Sequence, residues 1–542
     1  VDAELLYQSG LPPQATYVFK HALIREAAYH SLLKSTRQRY HEQIARKVAE
    51  RFPETVETQP ELIAHHYTEA GLTHEALVHW QLAGVRAAQR SAHVEAVSHF
   101  RQGLALLETL PDTPERGLQE LTVQVALGSS LTVLNSHAVP EVERAYARAR
   151  ELCQQVGETP QLFPVLFGLR AFDLVRGDLQ AAQEFAEQCL TLAQRVQDPA
   201  LLLLGHMGLG HALLNLGEFV LARTHLEAAM ARYDSQQHSS LLLGTPQDPG
   251  VSSLCYLAWC LWLLGYPDQA LQKSNEAMAL AREQLHPFSL ANALFFTAIV
   301  RRCRREEQGI QELAEALIAL STQHEFAFAL AAGTFFRGWA LARQGRGEEG
   351  IAQMHRSITT TRATRARLGQ PGLLGLLAEA YAAEGQVKEG LALLTEALDA
   401  IHRNGERLHE AELYRLRGEL TLRSRQVEDR PETNLEQVES KAVVPGPQPP
   451  TSSPQAEVEA EACFHRAIAI ARRQSARSLE LRAVMSLSRL WQTQGKQDAA
   501  RQLLAAVYGW FTEGFDTPDL KDARTLLQDL DVAKPSYTDS ST

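Results

Sequence analysis

The sequence predicts an all-α chain built as a solenoid of helical hairpins. Three observations carry that reading. The good helix formers Leu, Ala, Glu, Gln and Arg dominate, while Val, Ile and aromatics are sparse, which argues against a large sheet. A glycine followed by small residues five and twelve positions later keeps returning. Many of the returns are about 40 residues apart, as from Gly177 to Gly217 and from Gly345 to Gly385. A unit of that length cannot hold a core alone and must stack on its neighbours.

The pattern is clearest in "LGYPDQALQKSNEAMAL", where Gly265 precedes Ala270 and Ala277. Gly177 precedes Ala182 and Cys189, and Gly217 precedes Ala222 and Ala229. Gly345 precedes Gly350 and Ser357, and Gly385 precedes Gly390 and Ala397. Gly71 with Ala76 and Ala83, and Ser91 with Ala96 and Gly103, extend the series toward the N-terminus. Gly495 keeps Ala500 but has Val507 at the second position. The double interval between Gly265 and Gly345 leaves room for a degenerate copy at Arg305. Each glycine is expected to end one helix in a left-handed conformation. The first small residue lets the next helix approach closely; the second receives the following repeat.

These residues resemble the tetratricopeptide repeat. The best copies are "LLGLLAEAYAAEGQVKEGLALLTEAL" and "SLCYLAWCLWLLGYPDQALQKSNEAM". In the first, Leu377, Ala378 and Tyr381 take the large, small and large slots of the first helix. The resemblance covers roughly residues 60–530 and implies a right-handed superhelical solenoid. A spacing near 40 rather than 34 implies longer helices than the minimal repeat.

Four regions follow. Residues 1–55 open with a strand-like Tyr17-Val18-Phe19 and continue as amphipathic helices, which alone make a small helical cap. Residues 56–424 are repeats. Residues 425–455 replace the helical pattern with Pro, Ser and charge and are expected to be disordered, interrupting one hairpin. Residues 456–530 hold the last repeats and a capping helix, and 531–542 form a loose tail.

Bulk properties narrow the function. A formal charge of -11 and a pI of about 6.0 argue against a general nucleic-acid binder. No apolar run reaches the ~18 residues a membrane span needs, and no signal peptide is visible. The six cysteines lack metal spacing and are expected to be reduced thiols in a cytoplasmic protein. A first residue of Val1 suggests a piece of a longer polypeptide.

The motifs of catalysis are missing. "GRGEEG" at 345–350 has the GxGxxG spacing, but a repeat helix precedes it where a strand is required, so it reads as a repeat turn. No GxxxxGK[ST] and no GxSxG occur. His74-Glu75 and His79 miss the zincin spacing by one residue. "VRRCRREE" at 300–307 reads as a solvated helix end. No catalytic residue, cofactor or metal is expected in this chain.

A binding role fits better. Taking each turn as reference, Trp259, Trp262, Phe335, Trp339, Met207, His211 and Phe295 fall on the concave side. Tryptophans there are typical binding anchors. The competing reading packs them against neighbouring first helices of a tightly wound array.

A wider resemblance rests on "YVFKHALIREAAYHSLL", "PEVERAYARARELC", "SLELRAVMSLSRLWQTQGK" and "YGWFTEGFDTPDLKDARTLL". Together they are similar to the C-terminal half of bacterial proteins that join a class III adenylate/guanylate cyclase, a STAND-type P-loop ATPase and tetratricopeptide-like repeats, a resemblance that makes residues 1–55 a small winged-helix-like or helical remnant of the ATPase-associated segment. It implies a sensor or regulatory arm without chemistry of its own, whose partners are a protein, peptide or small effector in the groove and the upstream ATPase and cyclase domains. A plain protein–protein scaffold, an enzyme built on the solenoid and the sensor arm of an ATP-dependent transcriptional regulator are the alternatives.

Overall fold

A computed structural model of the chain describes residues 6–9, 15–135, 140–156, 162–238, 247–363, 365–428 and 454–532. The expected disordered insertion at 425–455 lies largely outside these residues, and its ends belong to the helices Glu410–Glu428 and Pro454–Arg473. The expected loose tail lies outside them apart from the end of helix Pro518–Val532.

Two compact units form, Val1–Leu127 and Gly128–Thr542. The first begins with Leu6–Ser9 paired antiparallel to Thr16–Phe19, with Tyr7 opposite Val18. Only the second of these strands was foreshadowed by the sequence. Helices Ala22–Ser31, Lys34–Arg51, Pro60–Ala70, Thr73–Gln89 and His93–Leu107 follow. Their core joins Ala45, Ile63, Tyr67 and Ala76.

The second unit is a superhelix of hairpins. Hairpin one is Phe163–Arg176 with Leu179–Val196, and hairpin two is Pro199–Asn215 with Phe219–Met230. Hairpin three is Pro249–Leu264 with Pro267–Glu283, four is Pro287–Cys303 with Ile310–Gln323, and five is Ala327–Arg343 with Gly347–Ala363. Hairpin six is Gln370–Ala383 with Val387–Asn404, seven is Glu410–Glu428 with Pro454–Arg473, and eight is Arg477–Thr493 with Gln497–Tyr508. Pro518–Val532 closes the series.

The turns form as the pattern requires. Gly265, Gly345 and Gly385 have φ of 97°, 83° and 77°, and the degenerate copy at Arg305 has 58°. After Gly265 the amide of Tyr266 bonds back to the Leu261 carbonyl and that of Gly265 to Trp262, a Schellman end. A second left-handed residue follows each of hairpins three to six, at Leu285, Glu325, Arg365 and Gly405. The sequence concealed three of these because they are not glycine, although each costs about 1–2 kcal/mol there.

The small positions are buried as expected. Ala182, Ala222 and Ala270, five residues after their turns, are 0% exposed. Gly350 lies so close to Gly338 that an added Cβ would sit 2.4 Å from the Gly338 carbonyl oxygen. "GRGEEG" is therefore a repeat turn following the helix Ala327–Arg343.

Successive coils of the superhelix touch. The amides of Arg367 and Leu368, before hairpin six, donate to the Val175 carbonyl at the end of the first helix of hairpin one. Arg407, before hairpin seven, donates to Asn215 of hairpin two at 2.8 Å. The Ser478 hydroxyl of hairpin eight donates to the Trp262 carbonyl of hairpin three. Arg482 donates to the Cys303 carbonyl of hairpin four at 2.7 Å. The first three of these contacts each join hairpins five steps apart, which sets five hairpins per turn. Arg305 continues the seam by pairing with Asp519 and Asp522.

The seam separates two kinds of glycine. An added Cβ at Gly265 would meet the Trp510 ring at 2.5 Å and the Arg477 Cβ at 2.8 Å, whereas one at Gly385 meets nothing within 4 Å. Gly385→Ala is expected to cost about 1–2 kcal/mol, the backbone term alone. Gly265→Ala adds displacement of the apposed coil and is expected to cost at least ~1–3 kcal/mol more. Urea unfolding of both variants checks the difference.

Candidate ligand-binding site

The closed turn encloses an aromatic cavity of about 130 Å³. The first helices of hairpins three to eight all reach it, because in each the residues between the core slots point toward the superhelix axis. Trp259, Trp262, Phe295, Phe335 and Phe336 supply the aromatic wall. The Phe295 and Phe336 rings lie 5.9 Å apart edge-on, and Trp259 lies 5.8 Å from His409. Glycine makes the space: a Cβ at Gly372 would meet His409 at 2.5 Å and one at Gly375 would meet Leu413 at 2.7 Å.

A polar cleft of about 250 Å³ adjoins the cavity and shares Arg302, Glu379, Glu412 and Arg482 with it. Two of these four charges are paired. Arg415 grips Glu412 at 2.7 Å and Glu419 at 2.6 Å. Arg482 pairs with Asp519 at 2.7 Å and lies 4.8 Å over the Trp262 ring. Burial alone would raise Glu412, but Arg415, Arg482 and Arg302 outweigh it and bring it down to about 2. Burial, aided by Arg302, pushes His409 down to about 3, so its imidazole is neutral. Arg302 and Glu379 are different: neither stands in an ion pair among the described residues. The Arg302 Nε is buried without a hydrogen-bond partner, and an Nη bonds only the Cys303 sulfur at 3.4 Å.

Four of the seven sequence-predicted residues, Trp259, Trp262, Phe295 and Phe335, therefore share one cavity. Trp339 lines the polar cleft. Met207 and His211 line neither, because they belong to hairpin two, outside the turn that encloses the cavity. Met207 is buried beside Phe163 and Phe167. His211 stacks on Tyr256 with ring centroids 3.7 Å apart. The concave side is thus largely a packed interior; Phe335 is 0% exposed.

The basic run at 300–307 departs from the solvated helix end the sequence suggested. Arg304 is buried, bonding Glu306, the Pro267 carbonyl and Asp268. Glu306 belongs to the run itself, whereas Pro267 and Asp268 come from the preceding hairpin, which no local reading of charge reveals. In the other unit, His41 and His66 approach at 2.7 Å between ring nitrogens, with His65 beside them. Among the described residues no group of three or more His, Cys, Asp or Glu could hold a metal ion, and no helix is long and apolar enough to cross a membrane.

No known family profile matches the chain. An uncharacterized protein of Rhizobium meliloti (strain 1021) is 23% identical over 423 residues, 77% of this chain. The chain spans 41% of that protein's length. Among solved structures, a Rap protein complexed with Competence and Sporulation Factor is 12% identical, with a TM-score of 0.53 over 74% of this chain and 99% of its own. Yeast Tom70 is 11% identical over 92% of this chain and 96% of its own, with a TM-score of 0.33. The chain has the fold of a tetratricopeptide-like helical repeat protein.

A buried acid, Glu406, accepts from the amide of Gly369 in the cavity lining. Burial raises Glu406 to about 7, against the amides of Gly369 and Asn404, and its Oε1 has no partner. The folded chain keeps this proton up to about pH 7, while an unfolded glutamate releases it near 4.5. The folded state thus binds more protons in that window, and stability falls as pH rises through it. Glu406→Gln is expected to stabilise the protein by up to ~3 kcal/mol at pH 8, with the gain fading below about pH 4.5. Denaturant titrations at both pH values check it.

Proposed function

We propose that this chain is a recognition arm whose partner, a protein, peptide or small effector, seats inside the closed superhelical turn. The observation that carries the reading is the aromatic cavity walled by six first helices, with a polar cleft beside it. Aromatic walls with a few convergent polar groups suit binding. The solved Rap protein of the same fold holds a bound factor, which supports a partner of this kind. The chain does no chemistry of its own in this reading. It works as the sensor or regulatory arm of a larger cytoplasmic protein with ATPase and cyclase domains. Support for that larger context comes from the resemblance of the long segments quoted above and from the greater length of the Rhizobium protein.

The mechanism is a population shift between a closed and an opened coil. The seam is the element that changes. Glu513 accepts the amides of Asp268 and Gln269 and the Gln269 side chain, while Asp268 accepts the Gly514 amide and Arg304. The bonds to Glu513 and from Gly514 hold hairpin three against the segment after hairpin eight. A ligand gripped from both sides stabilises the closed coil.

Two measurements test the reading. The coding region upstream of Val1 is expected to carry a GxxxxGK[ST] phosphate-binding loop followed by a helix; its absence from the upstream polypeptide would remove the ATPase context. Asp268→Ala with Glu513→Ala removes four seam hydrogen bonds and the Arg304–Asp268 bond between neighbouring hairpins. The double variant is expected to lose about 2–4 kcal/mol of stability and to sediment more slowly than the parent chain. An unchanged sedimentation coefficient with lowered stability would show that the seam does not govern opening.

A further inference from the structure

We infer that the cavity is built for a single apolar α-amino acid, held by its side chain among the aromatic rings, its carboxylate at Arg302 and its ammonium at Glu379. This rests on the reading of the turn's interior as the recognition surface and names the ligand class. Three observations converge on it. The first is size: an apolar cavity of ~150 Å³ takes one benzene ring, and this one is about 130 Å³. One aromatic or branched aliphatic side chain fills it.

The second is the charge left over. Four charged side chains line both the cavity and the adjoining cleft. Two are committed: Arg482 to Asp519 and Glu412 to Arg415. Arg302 and Glu379, one cation and one anion, are not. Arg302 keeps a buried Nε without a partner, which is costly unless something accepts from it. A simple anion would satisfy Arg302 and be repelled by Glu379, and a simple cation would meet the reverse. A zwitterion satisfies both.

The third is that the neighbouring charges are already held by each other: Glu412, which faces Arg302, and Arg415, which faces Glu379, are paired at 2.7 Å. His409 beside Trp259 is neutral, so it neither neutralises Glu379 nor repels the ammonium. A peptide of several residues is larger than a cavity of about 130 Å³, and its internal amide replaces the free ammonium that Glu379 would take.

The test titrates the full chain with L-phenylalanine, following Trp fluorescence and confirming by calorimetry. Phenylacetate lacks the ammonium, phenethylamine lacks the carboxylate, and Ala-Ala-Phe presents the same carboxylate on a peptide. L-Phenylalanine or L-leucine is expected to bind saturably, with both truncated phenyl compounds and the peptide at least tenfold weaker. Arg302→Gln is expected to weaken L-phenylalanine at least tenfold and leave phenethylamine unchanged. Glu379→Gln is expected to do so while leaving phenylacetate unchanged. Circular dichroism confirms that each variant is folded. Saturable binding of none of the amino acids overturns the assignment, and so does equal binding of toluene or tighter binding of the peptide. The sedimentation test above is independent of these titrations, so the assignment can fall while the recognition reading stands.

Discussion

The carbonyl groups left over at helix ends decide the form of the second unit. Every α-helix finishes with carbonyls that have no intrahelical donor. A left-handed turn residue satisfies some of them locally, as at Gly265. Those of Val175, Asn215 and Cys303 accept from groups contributed by later hairpins, and that of Trp262 accepts from Ser478 as well as from its own turn. Each bond is modest, yet their repetition fixes the pitch at which one coil lies on the next. The glycines at Gly177, Gly217 and Gly265 make that approach possible, because a side chain there would strike Arg367, Arg407 or Arg477. Where no coil lies opposite, at Gly345 and Gly385, glycine serves the backbone angle alone.

Closure then changes the chemistry of the inside. A concave face that would be a wet groove in an open coil becomes a dry interior. Aromatic rings suit it without further cost, and the charges that enter it must be paired. The chain Arg415, Glu412, Glu419 and Ser486 shows the requirement met: both carboxylates accept from one guanidinium and Glu419 also accepts from the Ser486 hydroxyl. Buried ion pairs of this kind add little net stability but impose one arrangement, since breaking either partner strands a charge. The unpaired Arg302 and Glu379 stand out against that background.

Much of the local fold was legible in the sequence. Turn glycines mark helix ends because few other residues take a positive φ cheaply, and the small residues after them mark where backbones approach. The left-handed Leu285, Glu325 and Arg365 escaped because ordinary side chains give no sign of backbone angle. The seam escaped for a stronger reason: its donors are largely backbone amides, which every non-proline residue carries, and their acceptors lie about 190 residues away at Val175 and Asn215. Register alone placed Trp259, Trp262, Phe295 and Phe335 on one side, but which level of the superhelix encloses a space depends on the pitch. Met207 and His211 share that side and sit a hairpin too early. Glu379, Glu412 and Arg482 gave no motif because they meet across three hairpins.

Cavity and seam are not independent structures, and Arg482 shows why. One face of its guanidinium lies over Trp262 in the cavity wall. The same group donates to the Cys303 carbonyl across the seam and pairs with Asp519 beyond it. Cys303 in turn adjoins Arg302, the uncommitted cation. Any occupant that draws Arg302 or presses on Trp262 therefore acts on groups that also join the coils. A ligand shifts a conformational equilibrium only by the difference in its affinity for the two states. The walls come from six successive hairpins, the first and last of them joined across the seam, so in the proposed switch the binding free energy counts toward closure. A moderate affinity then suffices, because about 1.4 kcal/mol of differential binding moves the closed-to-open ratio tenfold.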